Sequence, residues 1–202
     1  MCLRTVGADN ANTDELIENL EAVANQTKRA GEIVKHIKDF TRKRAPHETT
    51  VDINTLVKGI SDFIHIDIRK NKVSLNLALA EELPPLLADF VQIEQALLNL
   101  VINSIEAMAD VELEQRRLTI QTQMSTDHSI EVAVIDTGQG ISAENSEKIF
   151  DSFFTTKPAG LGLGLTISQS IIDAHKGRLW AEANPDCGVT FRFTLPVAGS
   201  SI

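Results

Sequence analysis

The stretch from residue 88 to residue 109 carries three side chains that could bind a ligand or take part in catalysis. Asn99, Asn103 and Glu106 stand at positions i, i+4 and i+7, so they lie on one face of a predicted helix. The positions around this polar seam are apolar, namely Val91, Ile93, Ala96, Leu97, Leu100, Val101, Ile105 and Met108. A polar group beside a core costs roughly 1–3 kcal/mol if nothing pairs with it. The polar seam therefore predicts either hydrogen bonds to neighbouring loops or a bound polar ligand.

Two glycine-rich loops follow this helix in the chain. The first, residues 136–140, places a carboxylate and two glycines, which allow positive φ and close backbone approach, at the mouth of a pocket. The second, residues 160–165, alternates glycine with leucine and runs into a predicted helix, whose N-terminus and amides suit phosphates. Lys157 lies just upstream and can supply a mobile positive charge. Taken alone, each loop pattern is also typical of an ordinary turn or hinge.

These loops need a layered scaffold, and hydrophobic periodicity predicts its elements. Alternating apolar residues and short apolar runs predict strands over 50–53, 73–79, 118–124, 130–134, 179–183 and 189–195. Helical spacing predicts helices over 54–69, 88–109 and 164–175, the last of them ending at Gly177 as its C-cap. Pro84-Pro85 predicts a turn, and residues 126–128 predict a hairpin turn. Helices and antiparallel hairpins on one sheet favour an α+β fold, a two-layer α/β sandwich, over a doubly wound one.

The N-terminal part of the chain follows a different pattern. Asn12 and Glu15 form a predicted capping box, and apolar or small residues then recur at alternating spacings of four and three up to Thr41. A helix over residues 13–44 is roughly 48 Å long at about 1.5 Å per residue, so it needs a partner along its length. We therefore expect a homodimer through residues 13–44. Pro46 ends the helix, which places a domain boundary between residues 1–46 and 47–202.

Composition excludes several classes of function. The chain has 202 residues and a net charge of −9, which argues against nucleic acid as a main partner. Cys2 and Cys187 lack the spacing of metal ligands and are interpreted as free thiols in a reducing compartment. The sequence contains no apolar run long enough to span a membrane and no signal-peptide pattern. We therefore expect a cytoplasmic chain, with a membrane or sensor domain only in a longer form.

The polar seam, the two glycine-rich loops and the order in which they occur resemble the catalytic ATP-binding domain of sensor histidine kinases. That domain belongs to a wider ATP-binding family that includes gyrase, Hsp90 and MutL. The matching segments are residues 99–107 (N box), 136–140 (G1 box), 150–157 (F box and ATP lid), 160–165 (G2 box) and the closing block 187–191. The resemblance covers residues 50–196, and residues 105–108 and 153–157 look most like the oxygen- and dicarboxylate-sensing subgroup. It implies a Bergerat-type fold, with a mixed, mostly antiparallel sheet and three main helices, and it identifies residues 1–46 as a partial dimerisation and phosphoacceptor domain.

The resemblance also implies a role for each matching residue. Asp136 would accept a hydrogen bond from the adenine amine, and Asn103 would bind Mg²⁺ through its side-chain oxygen. Asn99 stands where the ATPase branches of the family have the glutamate that activates water, so transfer of the phosphoryl group is favoured over hydrolysis. Thr190 would back the adenine pocket, and Lys157 would reach the γ-phosphate; Asn99, Asn103 and Lys157 would be the catalytic residues. The remaining nucleotide-binding residues would be Gly138, Gly140, Ile141, Gly160, Leu161, Gly162, Leu163, Gly164 and Leu165.

The chain lacks the phosphoacceptor that a histidine kinase needs. None of its five histidines is followed by the acidic residue and the proline of the family's acceptor motif, and His47-Glu48 imitates only the first two positions. The acceptor would then lie upstream of Met1, and the chain would be a truncated kinase core that cannot phosphorylate itself. ATP would supply its γ-phosphoryl group to an external His and then to the Asp of a response-regulator receiver domain. The alternatives are a Ser/Thr kinase of the anti-sigma type and a nucleotide-gated interaction module with the same pocket.

Overall fold

The computed structural model describes Leu20 and residues 47–142, 144–145, 148–155 and 161–198. Contacts divide the chain into residues 1–44 and residues 45–202, and every helix and strand named below belongs to the second unit. Apart from Leu20, the predicted helix 13–44 lies outside the described residues, and so do the homodimer it would form and the site residues Lys157 and Gly160. The domain boundary after residue 46 stays a prediction.

Seven strands and four helices make up this unit within the described residues. In chain order they are β1 (Thr49–Val51), α1 (Ile53–Phe63), α2 (His65–Asn71), β2 (Ser74–Leu79), β3 (Leu86–Ala88), α3 (Phe90–Ala107), β4 (Arg117–Met124), β5 (Ser129–Asp136), α4 (Gly164–Ala174), β6 (Arg178–Ala183) and β7 (Val189–Pro196). Short 3-10 turns lie at Leu113–Gln115 and Lys148–Phe150.

Five of the strands form one mixed sheet in the order β2-β4-β5-β7-β6. β2 pairs with β4 in parallel, whereas the other neighbours are antiparallel. β1 and β3 form a separate antiparallel pair. The predicted α+β class with a mostly antiparallel sheet is confirmed. So is the hairpin turn between β4 and β5, where His128 adopts a φ of 53°.

The core lies between the helices and one face of the sheet, because strand residues alternate between the two faces. Its sheet side comprises Leu118, Ile120, Val132, Val134, Phe191, Phe193 and Leu195, and its α3 side comprises Ile93, Ala96, Leu97, Leu100, Val101 and Ile105. The opposite face of the sheet is polar. There the Trp180 indole N–H (3.0 Å) and the Arg192 guanidinium (3.1 Å) donate hydrogen bonds to the exposed Glu182, and these bonds lower the pKa of its carboxyl group. Within the described ranges, no helix is both long and apolar enough to cross a membrane.

The start of α3 differs from the prediction by two residues. Ala88 belongs to strand β3, and the helix begins at Phe90 with Asp89 as its N-cap. The Asp89 carboxylate accepts hydrogen bonds from the backbone N–H groups of Val91 (3.1 Å) and Gln92 (3.3 Å). These bonds satisfy amides that have no partner within the helix, so the cap fixes where α3 starts.

The segment predicted as one helix over residues 54–69 is two helices, α1 and α2. They meet at Ile64, whose ψ of 0° departs from the helical value. Hydrogen bonds continue through the bend, from Ile64 N to Ile60 O and from Ile68 N to Ile64 O, each 2.9 Å long. Since Ile60 and Ile64 are both buried, the apolar spacing runs on across the bend and conceals it.

The end of α4 corrects the predicted C-cap. The left-handed position belongs to Lys176, with a φ of 59°, and not to Gly177. Gly177 is required for a different reason: a Cβ there would overlap the Thr194 carbonyl oxygen and lie 2.8 Å from Ile172 Cγ2. Its N–H donates to Ile172 O at 2.9 Å, which closes the helix in the manner of a Schellman motif.

Candidate functional site

Helix α3 carries the polar seam along the side of the domain where both glycine-rich loops arrive. Asn99 and Asn103 are half-buried on α3, and Ala107 completes the row one turn later. The opposite side of the helix is buried in the core, which fixes the rotation of α3 and hence the direction of the seam. The row from Asn99 to Ala107 has a different loop in contact with each of its ends.

The first end of the row, at Asn99, contacts the start of α4. Its Nδ2 donates to the Ser168 hydroxyl at 2.9 Å, and that hydroxyl oxygen lies 3.2 Å from the Gly164 carbonyl oxygen, to which it donates. A Cβ on Gly164 would lie 2.5 Å from Asn99 Oδ1, so only glycine allows this approach. Asn99 thereby joins α3 to the end of the second glycine-rich loop.

The second glycine-rich loop is also held against the segment that precedes it. Gly162 has a φ of 64°, and its carbonyl accepts a hydrogen bond from Phe153 N at 2.9 Å. The Thr166 hydroxyl donates to Phe150 O at 2.9 Å. Leu163 is buried, whereas Leu161 and Leu165 are half-buried and pack against the core. These contacts place the described part of the F box beside the N-terminus of α4.

The first glycine-rich loop begins with a carboxylate that the fold buries and orients. Asp136, the last residue of β5, is 1% exposed. Its Oδ1 accepts hydrogen bonds from the backbone N–H groups of Gly138 (2.8 Å) and Val189 (3.1 Å). Two backbone donors on one oxygen fix the carboxylate plane, so the direction of the second oxygen, Oδ2, is fixed as well.

This first loop contacts the other end of the α3 row, at Ala107. Gln139 N donates to Ala107 O at 3.3 Å, and Gln139 Nε2 donates to Asp110 Oδ2 at 3.0 Å. A Cβ on Gly138 would lie 2.8 Å from Ala107 Cβ, so the loop fits against α3 because residue 138 is glycine.

Asn103 therefore lies between the two glycine-rich loops. It follows Asn99 by four residues and precedes Ala107 by four, which is about 6 Å along the helix axis in each direction. The second loop contacts Asn99 and the first loop contacts Ala107. Asn103 thus lies on the helix face that runs from one loop to the other.

Two further members of the predicted set, Gly140 and Ile141, lie at the end of the first glycine-rich loop. Gly140 has a φ of 79° and Ile141 is half-buried against the core, directly after the first loop. The described residues contain no group of three or more His, Cys, Asp or Glu that could hold a metal ion. A divalent cation at this site would therefore rely on amide oxygens and on the oxygens of a bound phosphate, a donor set that suits Mg²⁺.

The prediction that Thr190 backs an adenine pocket is corrected by the strand register. Thr190 pairs with Ile135, so its side chain lies on the opposite face of the sheet from that of Asp136. Its hydroxyl donates to Asn184 Oδ1 at 2.6 Å. Val189, one residue earlier in β7, lies on the same face as Asp136 and donates its N–H to that carboxylate.

None of the described histidines lies in the interior of a helix. His47 is exposed and precedes β1 outside any helix, and His128 lies in the β4–β5 turn. His65 is the exposed first residue of α2. His175 is buried with both ring nitrogens bonded: Nε2 accepts from Asp89 N (3.0 Å), and Nδ1 lies 2.8 Å from Ile171 O. His175 thus joins the end of α4 to the N-cap of α3.

Sequence reasoning missed three residues that hold the site together, namely Ser168, Asn184 and Val189. Ser168 is 1% exposed within the apolar face of α4, and a serine in such a stripe is a signal that could have been noticed. Asn184 stands in an Asn-Pro-Asp sequence, which is typical of any turn. Val189 acts through its backbone N–H, which no side-chain pattern reveals.

Comparison with known proteins identifies the family. A profile described as histidine kinase-, DNA gyrase B-, and HSP90-like ATPase matches residues 88–199. The chain is 39% identical over 192 residues to the sensor protein FixL of Bradyrhizobium diazoefficiens, covering 95% of this chain and 38% of FixL. It is 39% identical over 184 residues to the sensor protein TdiS of Thauera aromatica, covering 91% of this chain and 34% of TdiS. The chain thus spans little more than a third of the length of these two curated relatives.

Solved structures give the same assignment. The catalytic domain of the histidine kinase ThkA aligns with a TM-score of 0.66 and 36% identity, over 74% of this chain and 95% of that domain. A structure of ThkA in complex with the response regulator protein TrrA aligns with a TM-score of 0.78 and 32% identity, over 96% of this chain and 55% of ThkA. These matches confirm the resemblance noted from the boxes. The chain therefore belongs to the histidine kinase-, DNA gyrase B- and HSP90-like ATPase family, whose members bind ATP, and its domain is of the sensor histidine kinase type.

Proposed function

We propose that this chain is the catalytic core of a two-component sensor histidine kinase. It binds Mg-ATP between α3 and the two glycine-rich loops and donates the γ-phosphoryl group to a histidine supplied from outside residues 1–202. The aspartate of a response-regulator receiver domain is the next acceptor. The observation that carries this proposal is the position of Asn103 between a phosphate-type loop and a loop that begins with a buried, oriented carboxylate.

The adenine end of the site is assigned to Asp136. A carboxylate that accepts two backbone N–H bonds on one oxygen cannot rotate, so its other oxygen offers an acceptor of fixed direction. The exocyclic amine of adenine is a donor that suits such an acceptor. Val189 replaces Thr190 as the residue beside this carboxylate, since its backbone reaches Asp136 from the same face.

The phosphate end is assigned to Asn103 and the second glycine-rich loop. The side-chain oxygen of Asn103 is a hard ligand that fits Mg²⁺, which usually keeps water and phosphate oxygens in its shell. When bound, the ion neutralises phosphate charge in the transferring group. The N-terminus of α4 and the backbone of Gly162 and Gly164 favour the same negative charge. Lys157 and Gly160 are assigned to the γ-phosphate and the phosphate loop by their place in the sequence.

Asn99 favours transfer over hydrolysis. Its Nδ2 is used by Ser168, and a neutral carboxamide has no basic group with which to activate water. Phosphoryl transfer needs little covalent help from the protein, because positioning and charge neutralisation supply most of the catalysis. A pocket without a general base therefore holds ATP until an acceptor arrives.

Nucleotide titration tests these assignments. We expect the chain to bind ATP more tightly with Mg²⁺ than without it, and we expect Asn103→Ala to lose that difference. Asp136→Asn, which replaces one acceptor oxygen by a donor, should lose ATP affinity with and without Mg²⁺. Asn76→Ala, an exposed asparagine of β2, is the matched control and should behave as the parent chain does. Unchanged Mg²⁺-dependent affinity in Asn103→Ala would remove the metal assignment.

Phosphotransfer to a separately supplied acceptor tests the kinase assignment. The chain is incubated with γ-labelled ATP and a dimerisation domain that carries an acceptor histidine. We expect acid-labile phosphate on that domain and none on this chain. Label on His47 would contradict the proposal. Acid-stable phosphate on a protein partner would favour a Ser/Thr kinase of the anti-sigma type, and nucleotide binding without any transfer would favour an interaction module.

A further inference from the structure

We propose that Asn184 is a positioning residue for base recognition. Its side chain fixes the end of β5, so that Asp136 presents its carboxylate to the base in one orientation. This inference rests on the proposed role of Asp136 as the group that binds the adenine amine. Asn184 lies on the other side of the sheet and does not itself contact the base.

Asn184 ties the β6–β7 turn to the backbone of Asp136. Its Nδ2 donates to Asp136 O at 2.9 Å, and its own N–H donates to Gly188 O at 3.1 Å. Its Oδ1 accepts from the Thr190 hydroxyl at 2.6 Å. Because a carbonyl oxygen can only accept, the amide nitrogen must face Asp136, and the amide oxygen must then face Thr190. The Asp136 carbonyl therefore determines the orientation of the Asn184 amide, and the Thr190 hydroxyl donates to the oxygen that remains.

The turn that follows Asn184 packs tightly against the backbone of Asp136. Gly188 has a φ of 87°, and a Cβ there would overlap the backbone carbonyl of Asp136. The next N–H, that of Val189, donates to Asp136 Oδ1 at 3.1 Å. Asp136 is thus held through its main-chain oxygen by Asn184 and through its carboxylate by Val189. Since both groups share one Cα, a shift of the main chain moves the carboxylate with it.

Loss of the Asn184 amide should therefore change recognition as well as stability. A rotation of Asp136 changes both the length and the angle of its bond to the adenine amine, and a hydrogen bond weakens as it leaves its preferred geometry. The rest of the nucleotide contacts other residues and is unaffected. The specific signature is the ratio of affinities for ATP and for purine riboside triphosphate, which lacks the exocyclic amine. A role in stability alone would leave this ratio unchanged.

The domain contains a matched control for this arrangement. Asn54 Nδ2 donates to Ala80 O at 2.8 Å, and the Thr122 hydroxyl donates to Asn54 Oδ1 at 2.8 Å. The Asn54 pair thus repeats the chemistry of the Asn184 pair. Thr122 lies four residues along β4 from Leu118, the partner of Asp136, which is roughly 13 Å away. Asn54→Ala removes the same bonds without touching Asp136.

The experiment measures both dissociation constants in Mg²⁺, together with the thermal midpoint, for the whole chain and its variants. In Asn184→Ala we expect the preference for ATP to fall about 2- to 10-fold, the range that one neutral hydrogen bond controls. Asn54→Ala should lower the midpoint and keep the wild-type ratio. An unchanged ratio in Asn184→Ala, or an equal fall in Asn54→Ala, would overturn the inference.

A second pair of variants covers the case in which Asn184→Ala does not fold. Thr190→Val removes the donor that orients the Asn184 amide, and Thr190→Ser keeps it. We expect the ratio to fall in the valine variant and to remain in the serine variant; equal ratios in the two would overturn the inference. Asp136→Asn distinguishes a failure of the proposed adenine contact from a failure of the positioning role of Asn184. If it also keeps the wild-type ratio, the proposed role of Asp136 is wrong, whereas a lowered ratio there with an unchanged one in Asn184→Ala refutes the positioning role alone.

Discussion

The Asn99 side chain packs helix α3 against helix α4, and as a neutral carboxamide it cannot act as a base. Its amide joins α3 to α4 through Ser168, and its oxygen lies against Gly164. A glutamate at the same place would bring a carboxylate to the phosphate end of the site. Carboxylates act as general bases when they can reach the proton they remove.

We therefore expect Asn99→Glu to increase the hydrolysis of ATP to ADP, because the variant supplies the missing base. Release of inorganic phosphate over time is the measurement. Asn99→Gln has the same chain length and no charge, so it is the control and should leave hydrolysis at the parental rate. Equal rates in the glutamate and glutamine variants would show that residue 99 does not decide between transfer and hydrolysis.

Single residues differ in how far their role could be predicted from the sequence. Asn103 and Asp136 stand at fixed spacings from apolar residues and glycines, so their types and neighbours were enough to propose them as site residues. Asn99 contacts Ser168 across 69 positions of the chain, and Asn184 contacts Asp136 across 48. Such contacts depend on how strands and helices meet, and no local pattern contains that information.

The last turn of helix α4 is followed by a residue, Lys176, whose backbone conformation costs free energy. Lys176 adopts a left-handed φ of 59° where helices commonly have glycine. For residues other than glycine this conformation costs roughly 1–2 kcal/mol. Glycine is needed at residue 177, where a Cβ would overlap the Thr194 carbonyl oxygen, so the left-handed position falls on Lys176.

Lys176→Gly should raise the free energy of unfolding by about 0.5–1 kcal/mol, since the relief of strain exceeds the added entropy of the unfolded chain. Urea denaturation of residues 47–202 measures it. The control is Lys58→Gly, at an exposed position inside α1, which should lower stability by about 1 kcal/mol. A loss of stability in Lys176→Gly would contradict the strain argument.

The loop after α3 depends on one arginine. The guanidinium of Arg116 donates to the backbone carbonyls of Ala109 (2.6 Å), Val111 (2.8 Å) and Asn71 (2.9 Å). It thereby joins the ends of α2 and α3, where carbonyls lack helical partners.

Arg116→Ala should lower the free energy of unfolding by about 2–3 kcal/mol, because it leaves three carbonyls without their charged donor. Arg117→Ala, at the exposed neighbouring position, should change it by less than about 0.5 kcal/mol. Denaturant titration of both variants makes the comparison. If the two variants have the same free energy of unfolding, the three hydrogen bonds of Arg116 do not stabilise the domain.

The elements with long periodicity were predicted, whereas of the two three-residue strands β1 was predicted and β3 was missed. The strands of the large sheet and the core of α3 follow from alternation and helical spacing. Strand β3 has three residues, too few to show alternation, and it lies between a proline turn and a cap. The bend at Ile64 keeps the apolar spacing intact, so the pattern reads as one helix.

At the scale of the whole molecule, the order of strands could not be predicted from their sequences. β2 pairs in parallel with β4, and α3 lies between them in the chain. Alternation identifies a strand and its buried face but not its neighbour. The resemblance to a known domain supplied the mixed sheet that local patterns could not supply.

Residues 47–202 should fold and bind Mg-ATP as tightly as the whole chain, because all described site residues lie within them. The homodimer predicted through residues 13–44 should then be lost. Light scattering should give a dimer for residues 1–202 and a monomer for residues 47–202. A monomeric whole chain at micromolar concentration would refute the predicted dimer, and a fragment unable to bind ATP would refute the predicted boundary.

The contacts at the two ends of the Asn99–Ala107 row also define a length. Eight helical residues separate the loop that meets Asn99 from the loop that meets Ala107, which is about 12 Å. In the proposed site, helix α3 is therefore a spacer between the loop assigned to the base and the loop assigned to the phosphates. One inserted residue would rotate the rest of helix α3 by about 100°, so the two loops would no longer contact the same face of the helix. The number of residues in this row therefore determines which separation of base and terminal phosphates the proposed site accepts.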